Sequence, residues 1–211
     1  MEQRAFFPPS RGELTRLRII DAAESAFASA GYSGATLDEI AGAVGILRPS
    51  LLYHFESKQA LYVAVENAIF SELHAFTLHR LDGVSGPLNK LLAVFDSWLD
   101  FFVDRPTSVR IAMRNTADGQ ARGCDPLQFA NPLMEMVEQI YDEGIAQGLF
   151  NPHDPMRIVA LVVGGILQYV GVADKHGQAR EYRAEDPIER ERFRTLIHGA
   201  VGALVKVQRV S

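Results

Sequence analysis

Cysteine is all but missing from this 211-residue chain, with Cys124 standing alone. One thiol forms no intrachain disulfide and builds no cysteine zinc site, a composition suited to a reducing compartment. Positive charge is in deficit: 21 Lys and Arg against 26 Asp and Glu leave a formal net charge of −5. That balance argues against indiscriminate nucleic-acid binding, so any contact with DNA must come from position rather than from bulk charge. No apolar run reaches the ~20 residues a bilayer-crossing helix requires. The longest, residues 158–173, contains Gln168 and reads as a buried helix, so no membrane partner is expected. The opening MEQRAFFPPSRGE has no long apolar stretch of the secretory kind, and the expected location is cytoplasmic. The chain also lacks GxSxG, a P-loop, GxGxxG and HExxH, and its histidines are scattered singly. His74 and His79 are five apart, which does not set two imidazoles side by side as a spacing of four would. No enzyme activity, cofactor or metal site is expected.

What is present is 47% hydrophobic residue, enough to bury a sizeable core, arranged with helical rather than alternating spacing. The expected fold class is all-α, a three-helix head over residues 1–56 and a larger helical body over 57–211. Ser10 and Glu13 have capping-box spacing, so a first helix should run from Arg11 to about Ala30 and close at Gly31. Thr36 and Glu39 repeat the pattern before Ile40, Ala41 and Val44, and Gly45 supplies the left-handed residue that ends a helix. Pro49 suits the first turn of the next helix, whose Leu51 and Phe55 face inward with Ile46. Arg48, Pro49, Ser50, Leu52, Tyr53 and His54 are left along the other side and the leading end. Such a helix suits a major groove about 12 Å wide, although a surface hairpin with no partner has the same letters. Lys58 follows, at the first turn of a long helix capped by Ser57, where an ammonium and free backbone N–H groups attract phosphate. Arg4, Arg11 and Arg16 lie where an arm can follow a phosphate backbone.

The run GYSGATLDEIAGAVGILRPSLLYHFESKQAL resembles the DNA-binding segment of the tetracycline repressor (TetR) family. A glycine and an aromatic precede a Thr-capped helix, a glycine turn and a second helix ending in LLYHF, with a lysine beyond. The resemblance covers about the first quarter of the chain. It implies that Arg48, Pro49, Ser50 and Tyr53 approach bases and that Thr36, His54 and Lys58 approach phosphates of a double-stranded operator. There are two departures. Leu47 stands where the family usually has Ser or a similar cap, and Leu52 replaces the commoner tyrosine; a leucine can meet a thymine methyl but cannot hydrogen-bond.

The body reads as further helices. Leu61, Val65, Ile69, Leu73 and Phe76 keep register on a rod from Ser57 to about Arg80. An aromatic helix follows from Leu88 to Phe102, then a short one with Val109, Ala112 and Met113 before a polar run from Asn115 to Cys124. Asp125 and Pro126, and Asn131 and Pro132, are cap-then-proline starts, the second opening a helix to Gln147. Trp98, Phe101, Phe102, Met113, Phe129, Leu133, Met136, Val137 and Tyr141 either line a cavity for a mostly apolar small-molecule effector or simply fill the core. Asp154 opens a helix to about His176 and Asp186 one to about Gln208, both apolar on more than one side. Leu161, Val162, Gly165, Tyr169, Ile197, Val201 and Leu204 are the candidates for a homodimer interface of four helices. With the resemblance, the expected function is ligand-responsive transcription regulation, most often repression of a palindromic operator. A helical ligand carrier or interaction protein without DNA binding is the alternative, and an enzyme the more distant one.

Overall fold

The computed structural model describes residues 10–122, 129–172 and 182–206, with the side chains of 115–122 left out. Nine helices lie among the described residues: α1 Arg11–Gly34, α2 Leu37–Val44, α3 Arg48–His54, α4 Lys58–Leu81, α5 Pro87–Asp104, α6 Pro106–Arg122, α7 Asn131–Ala146, α8 Pro155–Gly171 and α9 Pro187–Val205. Two compact units divide them, one ending at Ala68 and the other beginning at Ile69. The boundary falls inside α4 and not at the expected 56/57, because the first turns of α4 belong to the head. There Leu61, Tyr62 and Val65 are buried, and the Tyr62 ring meets Phe27 edge-on at 4.8 Å and Tyr32 at 5.3 Å.

In the head, local chemistry sets the helix ends. Ser10 and Glu13 form the capping box of α1, and Thr36 and Glu39 that of α2. Gly31 breaks α1 at φ 74°, and Gly45 ends α2 at φ 77°, both in the region that favours glycine. The core is Ile19, Ile20, Ala23, Phe27, Ile40, Ala41, Val44, Leu51 and Phe55, with Leu61 and Val65 from α4.

In the second unit, α5 packs on α6, α7, α8 and α9, and is therefore the central helix. Val94, Phe95, Trp98, Leu99 and Phe102 are buried along it. Aspartates on α5 meet basic residues on α9. Arg194 reaches Asp96 at 3.2 Å and Asp100 at 2.8 Å, Arg190 reaches Asp104 at 3.2 Å, and His198 reaches Asp96 at 2.8 Å. Arg80, in the last turn of α4, pairs with the same Asp100. Burial pulls the Arg194 guanidinium down, but the Asp100 hydrogen bond and the Asp96 and Asp100 charges overcome it, leaving a cation held above its ordinary value. At the far end of α5, Lys90 bonds Glu143 on α7 at 2.7 Å and holds that carboxylate below its usual range.

Three boundaries differ from expectation. Helix α6 continues through the polar run to Arg122, since polar letters without a proline do not stop a helix that has already nucleated. Asn131 does not cap α7; it is the first helical residue, after Ala130, which makes no side-chain cap. The helix opened by Asp154 ends at Gly171, with Val172 as its cap. The Asp125 and Pro126 start and the expected end at Gln208 lie outside the described residues.

Candidate nucleic-acid interface and effector region

The two short helices present what the spacing predicts. Leu51 is fully buried and Phe55 nearly so, while Arg48, Pro49, Ser50 and Leu52 are exposed and Tyr53 stands out at 88% of its possible exposure. Entry into α3 has no side-chain cap, because Leu47 has nothing to offer the free N–H groups; its own carbonyl accepts from Ser50 and Leu51 instead. An uncapped start forgoes about 1 kcal/mol of helix stability.

Four of the candidate contacts, Arg48, Thr36, Lys58 and His54, have local partners. The Arg48 Nη1 bonds Asp38 Oδ2 at 2.9 Å, both groups being more than half exposed. Such a pair contributes only about 0–1 kcal/mol, so phosphate or a base edge can displace the carboxylate. Thr36 is committed to its cap, its hydroxyl accepting from the Glu39 N–H at 3.2 Å. The Lys58 ammonium donates to the Ser33 carbonyl at 3.2 Å and lies 4.9 Å from the centre of the Tyr32 ring, at the rim of the head. His54 is half-buried at the end of α3, its ring edge-on to Tyr53 at 5.5 Å. Arg16, expected on an arm, covers the Phe55 ring at 4.7 Å.

Sequence reasoning missed Arg18. Its guanidinium donates to the Val44 carbonyl at 2.9 Å, a cation at the C-terminal end of α2 that ties α1 to the turn. The partners are 26 residues apart, so no local pattern announces them.

The expected effector residues divide. Trp98, Phe102, Leu133, Val137 and Tyr141 are buried on α5 and α7, while Met136 and Phe129 are half-buried and Met113 is exposed. Phe101 is buried but turned to α4, its ring 6.2 Å from that of Phe76. The Tyr141 hydroxyl donates to the Asn151 carbonyl at 2.9 Å, and burial pushes that phenol up. Trp98 Nε1 is a buried donor with no hydrogen-bond partner among the described residues.

The expected interface residues also divide. Val162, Ile197 and Val201, expected at a homodimer interface, are buried within the single subunit. Tyr169 is stacked between Phe193 at 4.0 Å and Tyr182 at 4.8 Å, and burial first, then the Tyr182 phenol, push its own phenol up to about 12. Gly165 sits half-buried against the Phe193 ring. Leu161 and Leu204 do face outward, and so do Ile188 and Leu196. Among the described residues, no helix is long and apolar enough to cross a membrane and no group of three His, Cys, Asp or Glu is placed to hold a metal ion.

The sequence of the head matches the model of bacterial regulatory proteins of the tetR family over residues 19–65, from the middle of α1 into α4. Similarity extends well beyond that segment. The biofilm operon icaADBC HTH-type negative transcriptional regulator IcaR of Staphylococcus aureus is 44% identical over 172 residues, covering 80% of this chain and 90% of its own. The chain belongs to the tetR family. KstR2, an HTH-type transcriptional repressor of Mycolicibacterium smegmatis, is 30% identical over 68% of this chain and 71% of its own. Among solved structures, FadR of Bacillus subtilis in complex with stearoyl-CoA has the same fold, with a TM-score of 0.72 at 15% identity over 89% of this chain and 97% of that one. This tetR-family chain is a DNA-binding transcriptional regulator and not an enzyme.

Proposed function

We propose that the chain is a cytoplasmic repressor that binds a palindromic operator as a homodimer through α3 and is released by a mostly apolar small molecule. The observation that carries the reading is the two-sidedness of α3. Leu51 is anchored inside, and Arg48, Ser50, Leu52 and Tyr53 are displayed on an element too short to have another use for them. Repression is the role named for both IcaR and KstR2. Dimerisation is supported by the outward row of α8 and α9, where Leu161, Leu196 and Leu204 are exposed and Gly164 and Gly199 have open space above them. The effector region is the buried face of α5 with α7, and the free Trp98 Nε1 asks for a ligand that carries an acceptor atom.

Both halves have a test. Duplexes are selected from a random pool by the full-length protein, and affinity is measured by fluorescence anisotropy at fixed salt. Arg48→Ala and Tyr53→Ala are expected to weaken selected-duplex binding about ten-fold or more, with helicity and oligomeric state unchanged. Unchanged affinity in both would remove α3 from the interface. Trp98 is the single tryptophan, so its fluorescence reports on the effector region. Long-chain acyl-CoAs, prompted by the stearoyl-CoA held by FadR, and apolar carboxylic acids are the probes. A ligand of the proposed kind shifts the emission and lowers operator affinity together. A shift with no change in DNA binding would leave a binding protein whose operator is not ligand-controlled.

A further inference from the structure

Leu47 is the outlier of the head. It is 76% exposed, more so than Leu52 on the adjoining helix, and it occupies the turn residue from which α3 starts. An exposed leucine alone needs no explanation, since much of any protein surface is apolar. Here the leucine forgoes something. The position is one where Ser, Thr, Asp or Asn would close the free end of α3, and Leu47 makes no side-chain cap while its isobutyl group is left mostly in water. Neither local hydrogen bonding nor core packing gains from it. Residues that break a local rule without internal return gather where a protein meets its ligand.

The neighbourhood says which ligand. Leu47 precedes Arg48, Pro49 and Ser50, all exposed, and the same element carries Leu52 and Tyr53 outward. In a helix-turn-helix, the first residues of the second helix are those that meet base edges. The one apolar feature on a base edge in the major groove is the C5-methyl of thymine. We propose that Leu47 is a specificity-determining residue whose side chain packs on a thymine methyl, so that each half-site contains an A·T pair chosen by the turn rather than by the helix. The inference rests on α3 being the reading helix. It adds a contact that no hydrogen-bonding side chain in that helix supplies, distinct from any thymine met by Leu52.

Uracil tests it, because uracil differs from thymine by that methyl alone. Each thymine of the duplex selected by the wild-type protein is replaced in turn by uracil, symmetrically in both half-sites. At one position the wild-type protein is expected to lose about four-fold per half-site, or about fifteen-fold for the pair, the value of one buried methyl group. Leu47→Ser is expected to bind thymine and uracil alike there while keeping thymine preference elsewhere, and its melting midpoint should not fall, since serine restores a cap. Leu47→Ala, which shortens the side chain without adding a cap, should show the same loss of discrimination. Retention of full thymine preference at every position by both variants overturns the proposal. So does uniform weakening on thymine and uracil duplexes, which would mean that Leu47 acts only through the geometry of the turn. Failure of the wild-type protein to select any sequence overturns it together with the reading of α3 beneath it.

Discussion

Gly144 on α7 has no room for even a methyl group. A Cβ placed there would lie 2.1 Å from Cδ2 of Phe150 and 2.6 Å from its Cγ, so the whole ring is in the way. Phe150 cannot retreat easily, being buried, 5.2 Å from the Tyr141 ring, and bridged through its backbone to Lys206. Gly171 on α8 is crowded in a softer way: its added Cβ would lie 2.6 Å from Met113 Sδ, the end of an exposed and flexible side chain. Gly144→Ala is therefore expected to destabilise the protein by about 1–3 kcal/mol, and Gly171→Ala by less than about 1 kcal/mol. Urea midpoints at one fixed protein concentration rank the two. Equal midpoints would mean that the Phe150 ring swings aside freely, which its partners argue against.

Helices α5 and α9 run against each other with charges in step. Asp96, Asp100 and Asp104 recur every four residues, as do Arg190, Arg194 and His198 in the opposite direction, and Asp100 holds Arg80 as well as Arg190 and Arg194. Both spacings were visible in the letters; their pairing was not, because it joins positions some hundred residues apart whose register only the packed helices define. Caps were legible for the converse reason. Ser10, Thr36, Asp154 and Asp186 each accept from an N–H two or three residues on, so the partner is in the same short stretch of sequence. The inward side of α3 was legible too, from a single apolar seam. That of α8 was not: a helix apolar on two sides has no phase, so its letters do not say that Val162 is buried within the subunit while Leu161 is exposed. The pairing predicts a cost. Asp100→Asn takes one carboxylate away from three guanidinium groups, at about 2–4 kcal/mol, less than for a wholly buried cluster because Arg80 is partly wet and Arg190 and Arg194 keep Asp104 and Asp96. Replacing Asp100 and Arg194 together by Asn and Leu should recover part of that loss. If Asp100→Asn melts like the wild type, the ladder is only a solvated surface feature.

For the molecule as a whole, the proposed palindrome reading requires two heads to act as one, and we assign the holding of two copies to the exposed leucines of α8 and α9. Leu161, Leu196 and Leu204 are exposed, and a Cβ at Gly164 or Gly199 would meet nothing within 4 Å, so a second helix pair can approach closely. A dimer joined there binds its second half-site without a second encounter, an advantage of about 10²–10⁴ in affinity. Leu161→Glu with Leu196→Glu puts unpaired carboxylates into that contact. The double variant is expected to sediment as a folded monomer, to keep wild-type helicity, and to lose about 10²-fold or more in affinity for a two-half-site duplex while binding a single half-site as before. Val201→Glu is the contrasting case, because Val201 is fully buried within the subunit and its replacement should unfold the body before it separates any dimer. If the Leu161 and Leu196 variant stays dimeric, the two copies meet elsewhere, and the exposed leucines of α8 and α9 need another partner.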